Sequence, residues 1–315
     1  MSPQVPPAGV WAPAITFFNR KDDTLDLAAQ AKYFTYLSKH LSGLLVLGTN
    51  AETFHLTREE RASIIETARS AVGPSYPLMA GCSGHSTKQV LEFISDAKKE
   101  GADYALVLPP AYFGGGMSTR KVVENFFLDI AERGELPIVV YNFPGVCSGV
   151  DIDSEMLETL AQKSKGKIVG VKLTCASVGK VTRLAGKLDP KDFAIFGGQS
   201  DFLLAGLSVG SAGCISAFGN IAPKAVSKVY ELWKSGKTEE ALKLQQVTAR
   251  AESLCKKGIA STKYGVACSS AKRAGLEGDV EGMCLPRAPY EGPGEDVKKA
   301  VREYLEEVVK VEDSL

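Results

Sequence analysis

The chain has 315 residues, 44% of them hydrophobic and 23% charged, a composition that suits a water-soluble protein with a large core. Lysine plus arginine and aspartate plus glutamate each total 37, so the formal charge is zero. With no sustained basic stripe, nucleic acid is excluded as the main partner, while a locally positive site for a small anionic substrate stays open.

Taken in order, the chain begins with a proline-rich lead lacking the basic n-region of a signal peptide. Short apolar runs then alternate with amphipathic segments. Strands are predicted over residues 10–17, 43–47, 77–80, 104–108, 137–142, 168–173, 193–196 and 213–216. Between them, Thr57-Arg58-Glu59-Glu60 and Ser86-Thr87-Lys88-Gln89 read as capping boxes, in which hydroxyl and acid or amide side chains exchange bonds with the first-turn amides. Lys98-Lys99-Glu100-Gly101 and Lys165-Gly166 read as helix ends with a glycine stop. Residues 202–223 carry no charge and are long enough to cross a bilayer, but Gly206, Gly210, Gly213 and Gly219 interrupt them. They read as a buried helix, a turn and a strand.

Eight strand–helix units fit between residue 10 and about residue 235, which implies a parallel sheet. A closed (β/α)8 barrel meets this pattern. An open doubly wound sheet meets it too, but no dinucleotide fingerprint follows the first strand. Residues 236–315 read as a helical extension packed on the barrel, with helices over 239–257, near 261–274 and near 295–309, and a Pro/Gly-rich loop at 282–294. The expected division is therefore a catalytic barrel over 1–235 and the extension over 236–315.

Seven scattered cysteines with no Cys-x-x-Cys, and no signal peptide, read as the reduced thiols of a cytosolic protein. The three histidines, His40, His55 and His85, are too dispersed for a zinc site, and there is no phosphate-binding loop. Neither metal nor cofactor is expected. Cys175 has no histidine near it in sequence and reads as a structural thiol.

The most informative residue is Lys172, set in the apolar run Ile168-Val169-Gly170-Val171-Lys172-Leu173. A buried ammonium loses hydration worth several kcal/mol, and the escape is to shed the proton. A neutral amine is the nucleophile that forms a Schiff base with a ketone. The ordinary alternative is a strand-end lysine with its head in water. The neighbouring strand ends favour the first reading, since a barrel's chemistry sits where strands end. Strand two runs into Gly48-Thr49-Asn50-Ala51-Glu52, strand four into Pro109-Pro110-Ala111-Tyr112-Phe113, strand five ends at Tyr141-Asn142, and strand seven at Gly197-Gly198. An amine, two phenols, a hydroxyl and a glycine-led turn make a suitable set for a 2-keto acid. Singly, each has a plain reading as a turn former or a β-favouring residue.

These motifs together resemble the dihydrodipicolinate synthase and N-acetylneuraminate lyase family, class I pyruvate-type aldolases on a (β/α)8 barrel. Gly48-Thr49-Asn50-Ala51-Glu52 is similar to the family's Gly-Ser/Thr-Thr/Asn-Gly-Glu, Tyr141-Asn142-Phe143-Pro144 to its Tyr-Asn-x-Pro, and Gly170-Val171-Lys172 to its Gly-x-Lys. The resemblance implies Lys172 as the Schiff-base lysine and Tyr141 as the proton-shuttling phenol, linked through Thr49 to a Tyr112 that enters from a neighbouring subunit. It also implies Thr49 and Asn50 on the pyruvyl carboxylate, Gly197 and Ile215 lining the pyruvyl pocket, and a homotetramer built as a dimer of dimers. Where the family's synthases carry an arginine, this chain has Gly145-Val146-Cys147-Ser148-Gly149, and Ser148 is expected to bond substrate hydroxyls. Asn50 resembles the Ser-Asn of 4-hydroxy-2-oxoglutarate aldolases. Both departures favour cleavage of a 2-keto-3-deoxy-L-galactonate or a 4-hydroxy-2-oxoglutarate over dihydrodipicolinate synthesis; a keto-acid binder without turnover is the non-enzymatic rival. Ala51 stands at a usual glycine, where a positive φ would cost about 1–2 kcal/mol.

Overall fold

The computed structural model describes residues 5–114 and 116–315, so the first four residues of the proline-rich lead lie outside the described residues. Eight parallel strands close into a barrel in sequence order: β1 (Gly9–Pro13), β2 (Gly43–Val46), β3 (Leu78–Gly81), β4 (Tyr104–Val107), β5 (Ile138–Asn142), β6 (Ile168–Leu173), β7 (Ala194–Gly197) and β8 (Gly213–Ile215). β8 pairs back onto β1. The first strand is shorter than expected because Pro13 has no N–H to continue the ladder. Helices α1 (Leu27–Ser38), α2 (Arg58–Val72), α3 (Thr87–Lys99), α4 (Arg120–Arg133), α5 (Ser154–Lys163), α6 (Val178–Ala185), α7 (Leu203–Ser208) and α8 (Pro223–Lys234) follow the strands in turn. The chain is a (β/α)8 barrel. The uncharged stretch 202–223 supplies α7 and β8, and no helix among the described residues is long and apolar enough to cross a membrane.

Strand alternation divides the apolar side chains into two cores. Trp11, Leu45, Met79, Leu106, Val139, Tyr141, Phe196 and Ile215 fill the barrel interior. Val10, Leu44, Val46, Val107, Val140 and Cys214 face the helices. β6 breaks the alternation. Ile138 pairs with Ile168 but Val139 pairs with Gly170, which leaves Val169 as an extra residue. Val169 turns inward, Val171 and Leu173 turn outward, and Lys172 points into the barrel. A bulge re-aims the side chains beyond it; here it decides where Lys172 points.

The capping box at Thr57 is complete, with Thr57 accepting from the Glu60 amide and the Glu60 carboxylate accepting from the Thr57 amide. At Ser86 only half forms. Ser86 accepts from the Gln89 amide, but the Gln89 side chain accepts from the amide of His85 instead of Ser86. Glycine stops occur at Gly101 (φ 92) and Gly166 (φ 78).

Beyond the barrel lie α9 (Thr238–Glu252), α10 (Ile259–Cys268), α11 (Ser270–Arg273), α12 (Val280–Met283) and α13 (Glu295–Ser314). The expected helix over 239–257 gives way at Ser253 to a tighter turn running to Lys257. This change of pitch brings the segment to the barrel mouth.

Candidate active site

β6 carries Lys172 into a cavity of about 580 Å³ at the C-terminal ends of the strands. Lys172 is 2% exposed, and burial lowers its pKa from 10.5 to about 7. Its Nζ lies 4.3 Å from the centre of the Tyr141 ring, directly across the β5–β6 ladder where the two residues are paired. Tyr141 is buried as well. Desolvation pushes its phenol up to about 12, against the opposing pull of the Thr49 hydroxyl 3.4 Å away.

Asn142, beside Tyr141, braces the loop that follows. Its side chain accepts from the Ile152 amide at 2.9 Å and donates to Asp151 at 2.7 Å, while Lys180 bonds Asp151 and the Ile152 carbonyl. The Tyr-Asn pair thus joins a cavity residue to the clamp that fixes its loop.

After β2, Thr49 and Asn50 open a short 3₁₀ turn and line the same cavity. The backbone concern at Ala51 does not arise. Ala51 lies buried within the turn, and the left-handed residues are Leu47 and Glu52, each at φ 58. Glu52 is held in that conformation through its carboxylate. It receives Lys263 Nζ of α10 at 2.7 Å and the Arg287 amide at 2.9 Å, and both members of the Glu52–Lys263 pair are essentially without solvent contact. Burial pulls the Lys263 ammonium down and Glu52 opposes that pull.

Other expected residues lie outside this cavity's wall. Gly197 and Ile215 are buried strand ends, while the cavity wall itself is made by Gly198, Gln199 and Ala217 one or two residues on. Ser148, at φ 50, donates its hydroxyl to the Ala111 carbonyl at 3.0 Å. It lines an adjoining cavity of about 390 Å³, which it shares with Tyr112. Tyr112 is 74% exposed and packs against His85 and Phe113; within one chain it does not join the Thr49–Tyr141 pair.

Of the wall residues that escaped the sequence reading, Thr174, Glu252 and Lys257 carry the most chemistry. Thr174 follows Lys172 by two, so strand alternation alone was enough to point to it. Its hydroxyl oxygen is buried without a partner, and a Cβ at Gly198 would lie 2.0 Å from it, so only glycine fits opposite. Glu252, at the end of α9, accepts from the Ser200 amide (3.1 Å) and hydroxyl (2.6 Å) and from the Ser216 hydroxyl (2.9 Å); burial raises its pKa. Lys257 lies in the turn that follows. No local pattern marks either of the last two, because each reaches the barrel only through the packing of the extension.

The model of the dihydrodipicolinate synthetase family matches residues 6–308. The chain belongs to that family. A Coccidioides immitis protein provisionally named as a mitochondrial 4-hydroxy-2-oxoglutarate aldolase is 58% identical over the whole of both chains. A Hypocrea jecorina protein named L-threo-3-deoxy-hexylosonate aldolase is 34% identical, again over the whole of both chains. The crystal structure of a dihydrodipicolinate synthase family protein from Coccidioides immitis superposes with a TM-score of 0.94, at 56% identity and full coverage of both chains. The expectation of a cytosolic protein is overturned by this comparison, because the 58% identical relative carries a mitochondrial name. All seven cysteines are free, which does not identify a compartment.

Proposed function

We propose that this protein is a class I aldolase that splits a 4-hydroxy-2-keto acid, either 4-hydroxy-2-oxoglutarate or a 2-keto-3-deoxy sugar acid, into pyruvate and an aldehyde. The observation that carries the reading is the buried Lys172 amine, with its pKa lowered to about 7, in the strand-end cavity and across from Tyr141. The names of the two relatives support the same reaction class.

In this reading Lys172 Nζ attacks the C2 ketone, and loss of water gives an iminium. The proton of the C4 hydroxyl leaves as the C3–C4 bond breaks, and the bonding pair flows into the iminium. Aldehyde and enamine result. Protonation at C3 and hydrolysis then release pyruvate and restore the amine. Tyr141 is neutral near pH 7, so it acts as a relay: it takes the C4 proton as it passes its own to Thr49, which gives up its own hydroxyl proton to solvent. The same path run in reverse returns a proton to C3 of the enamine. The unpartnered Thr174 hydroxyl suits the C4 hydroxyl, and Thr49 with Asn50 suits the C1 carboxylate. No arginine lines the cavity, which weighs against condensation with aspartate semialdehyde, whose carboxylate needs such a clamp.

A homo-oligomer is part of the same proposal. Phe54 (55% exposed), Tyr112, Phe113 (73%) and Met117 (65%) form an apolar patch that a second copy suits, in keeping with an exchange of Tyr112 between subunits.

The test is pyruvate with borohydride, followed by peptide mapping, beside a pyruvate-release assay on the two acids named above. Reduction should leave a secondary amine on Lys172. An adduct elsewhere, or turnover with no adduct, rules the mechanism out.

A further inference from the structure

A diacid substrate presents the site with a second carboxylate, three carbons beyond the ketone that Lys172 attacks. No arginine lines the cavity. Its lysines are Lys172, Lys256 and Lys257. Lys172 is the amine itself. Lys256 already faces Asp201 at 2.9 Å. The ammonium of Lys257 has neither an ion-pair nor a hydrogen-bond partner among the described residues, so it is the cavity's uncommitted cation. The acids of the wall are disposed differently. Glu52 is held by Lys263 and the Arg287 amide, and Glu252 by Ser200 and Ser216, which leaves Glu291 as the acid of the wall with no partner among the described residues.

Lys257 stands where the extension meets the cavity. It ends the Ser253–Lys257 turn, whose start is fixed by the buried Glu252, and it precedes Gly258 at φ 106, where the chain turns into α10. Lys257 thus lines the same cavity as Lys172 and the Thr49–Asn50 turn that suits the first carboxylate.

We propose that Lys257 selects among substrates by binding the distal carboxylate of a five-carbon 4-hydroxy-2-keto diacid. This inference rests on the aldolase reading and deepens it. A six-carbon acid with a hydroxylated, uncharged tail gains nothing from the ammonium, so Lys257 separates the two substrate classes that the fold admits. A charge-assisted bond at a half-open mouth separates them by a factor of about ten or more.

The experiment compares wild type, Lys257→Met and Glu291→Gln on 4-hydroxy-2-oxoglutarate and on L-threo-3-deoxy-hexulosonate, with borohydride trapping of pyruvate in parallel. Lys257→Met is expected to lower kcat/KM for the diacid at least tenfold more than for the hexulosonate, mainly through KM. Pyruvate trapping should persist, which reports an intact fold and amine. Glu291→Gln controls for the general field at the mouth, and its effect on the diacid should stay within threefold. Equal losses on both substrates, no loss, a Glu291→Gln gain as large as the Lys257→Met loss, or a wild type that cleaves only the hexulosonate would each overturn the role of Lys257. Failure of the wild type to release pyruvate from either acid, or to trap on Lys172, would instead overturn the aldolase reading.

Discussion

At the scale of the residue, Lys172 is kept where its charge is least welcome, and both pH and stability should register it. The amine is neutral above its pKa of about 7, so kcat/KM should rise with pH and level off once that value is passed. A rate that was flat from pH 5.5 to 8.5 would contradict this. The same displacement costs stability. Lys172 falls from 10.5 to about 7 on folding, so the unfolded chain holds the proton more tightly. The penalty is fully present below about pH 7 and disappears as pH rises through 10.5. At 1.36 kcal/mol per unit it is on the order of 4 kcal/mol at neutral pH. Lys172→Met, similar in volume and uncharged, should therefore be inactive yet melt higher than wild type at pH 7, with the gap closing toward pH 10.5. Tyr141→Phe should behave differently: kcat should fall by roughly 10²–10⁴-fold with little change in melting temperature, as steady-state kinetics and calorimetry would record.

At the scale of the element, the strands and most helix starts were legible because apolar runs, capping residues and glycine stops are local signals. Lys172 and Tyr141 were legible as a charge and a phenol at strand ends. The β6 bulge was not, because both faces of a barrel strand are apolar and a skipped residue leaves no mark on such a run. The Glu52–Lys263 pair was hidden for a different reason, since its members lie on β2's loop and on α10. Removing one partner of a fully buried pair typically costs 3–5 kcal/mol. Lys263→Met should therefore lower the melting temperature sharply and loosen the Thr49–Asn50 turn, raising KM for keto acids. Adding Glu52→Gln should recover part of the loss, because the uncompensated charge is then gone. If the double variant melted no higher than Lys263→Met alone, the charge would not be the cause.

At the scale of the whole molecule, the exposed aromatic patch around Tyr112 gives a prediction about assembly. Replacing Tyr112 and Phe113 together by serine should reduce the mass seen by light scattering and lower activity in step, if a second copy completes the site. A wild type that is monomeric at micromolar concentration and fully active would dismiss that role. The extension also builds the candidate site, since Glu252 and Lys257 of the cavity wall come from it and Lys263 holds Glu52 of that wall.

The pairing of Glu52 with Lys263 also bears on the order in which the protein can be completed. The two residues are 211 positions apart, and the eighth strand ends at Ile215, well before Lys263 leaves a ribosome. A nascent chain that has made every strand still lacks both the Lys263 ammonium and the Arg287 amide that hold the Glu52 carboxylate, so the turn after β2 is conditional on residues that belong to none of the βα units. Synthesis that stops early yields a protein that cannot settle, and quality control can recognise the defect without a dedicated signal. Residues 1–235 expressed alone should accumulate as insoluble material, whereas supplying residues 236–315 as a separate chain should bring part of it into solution.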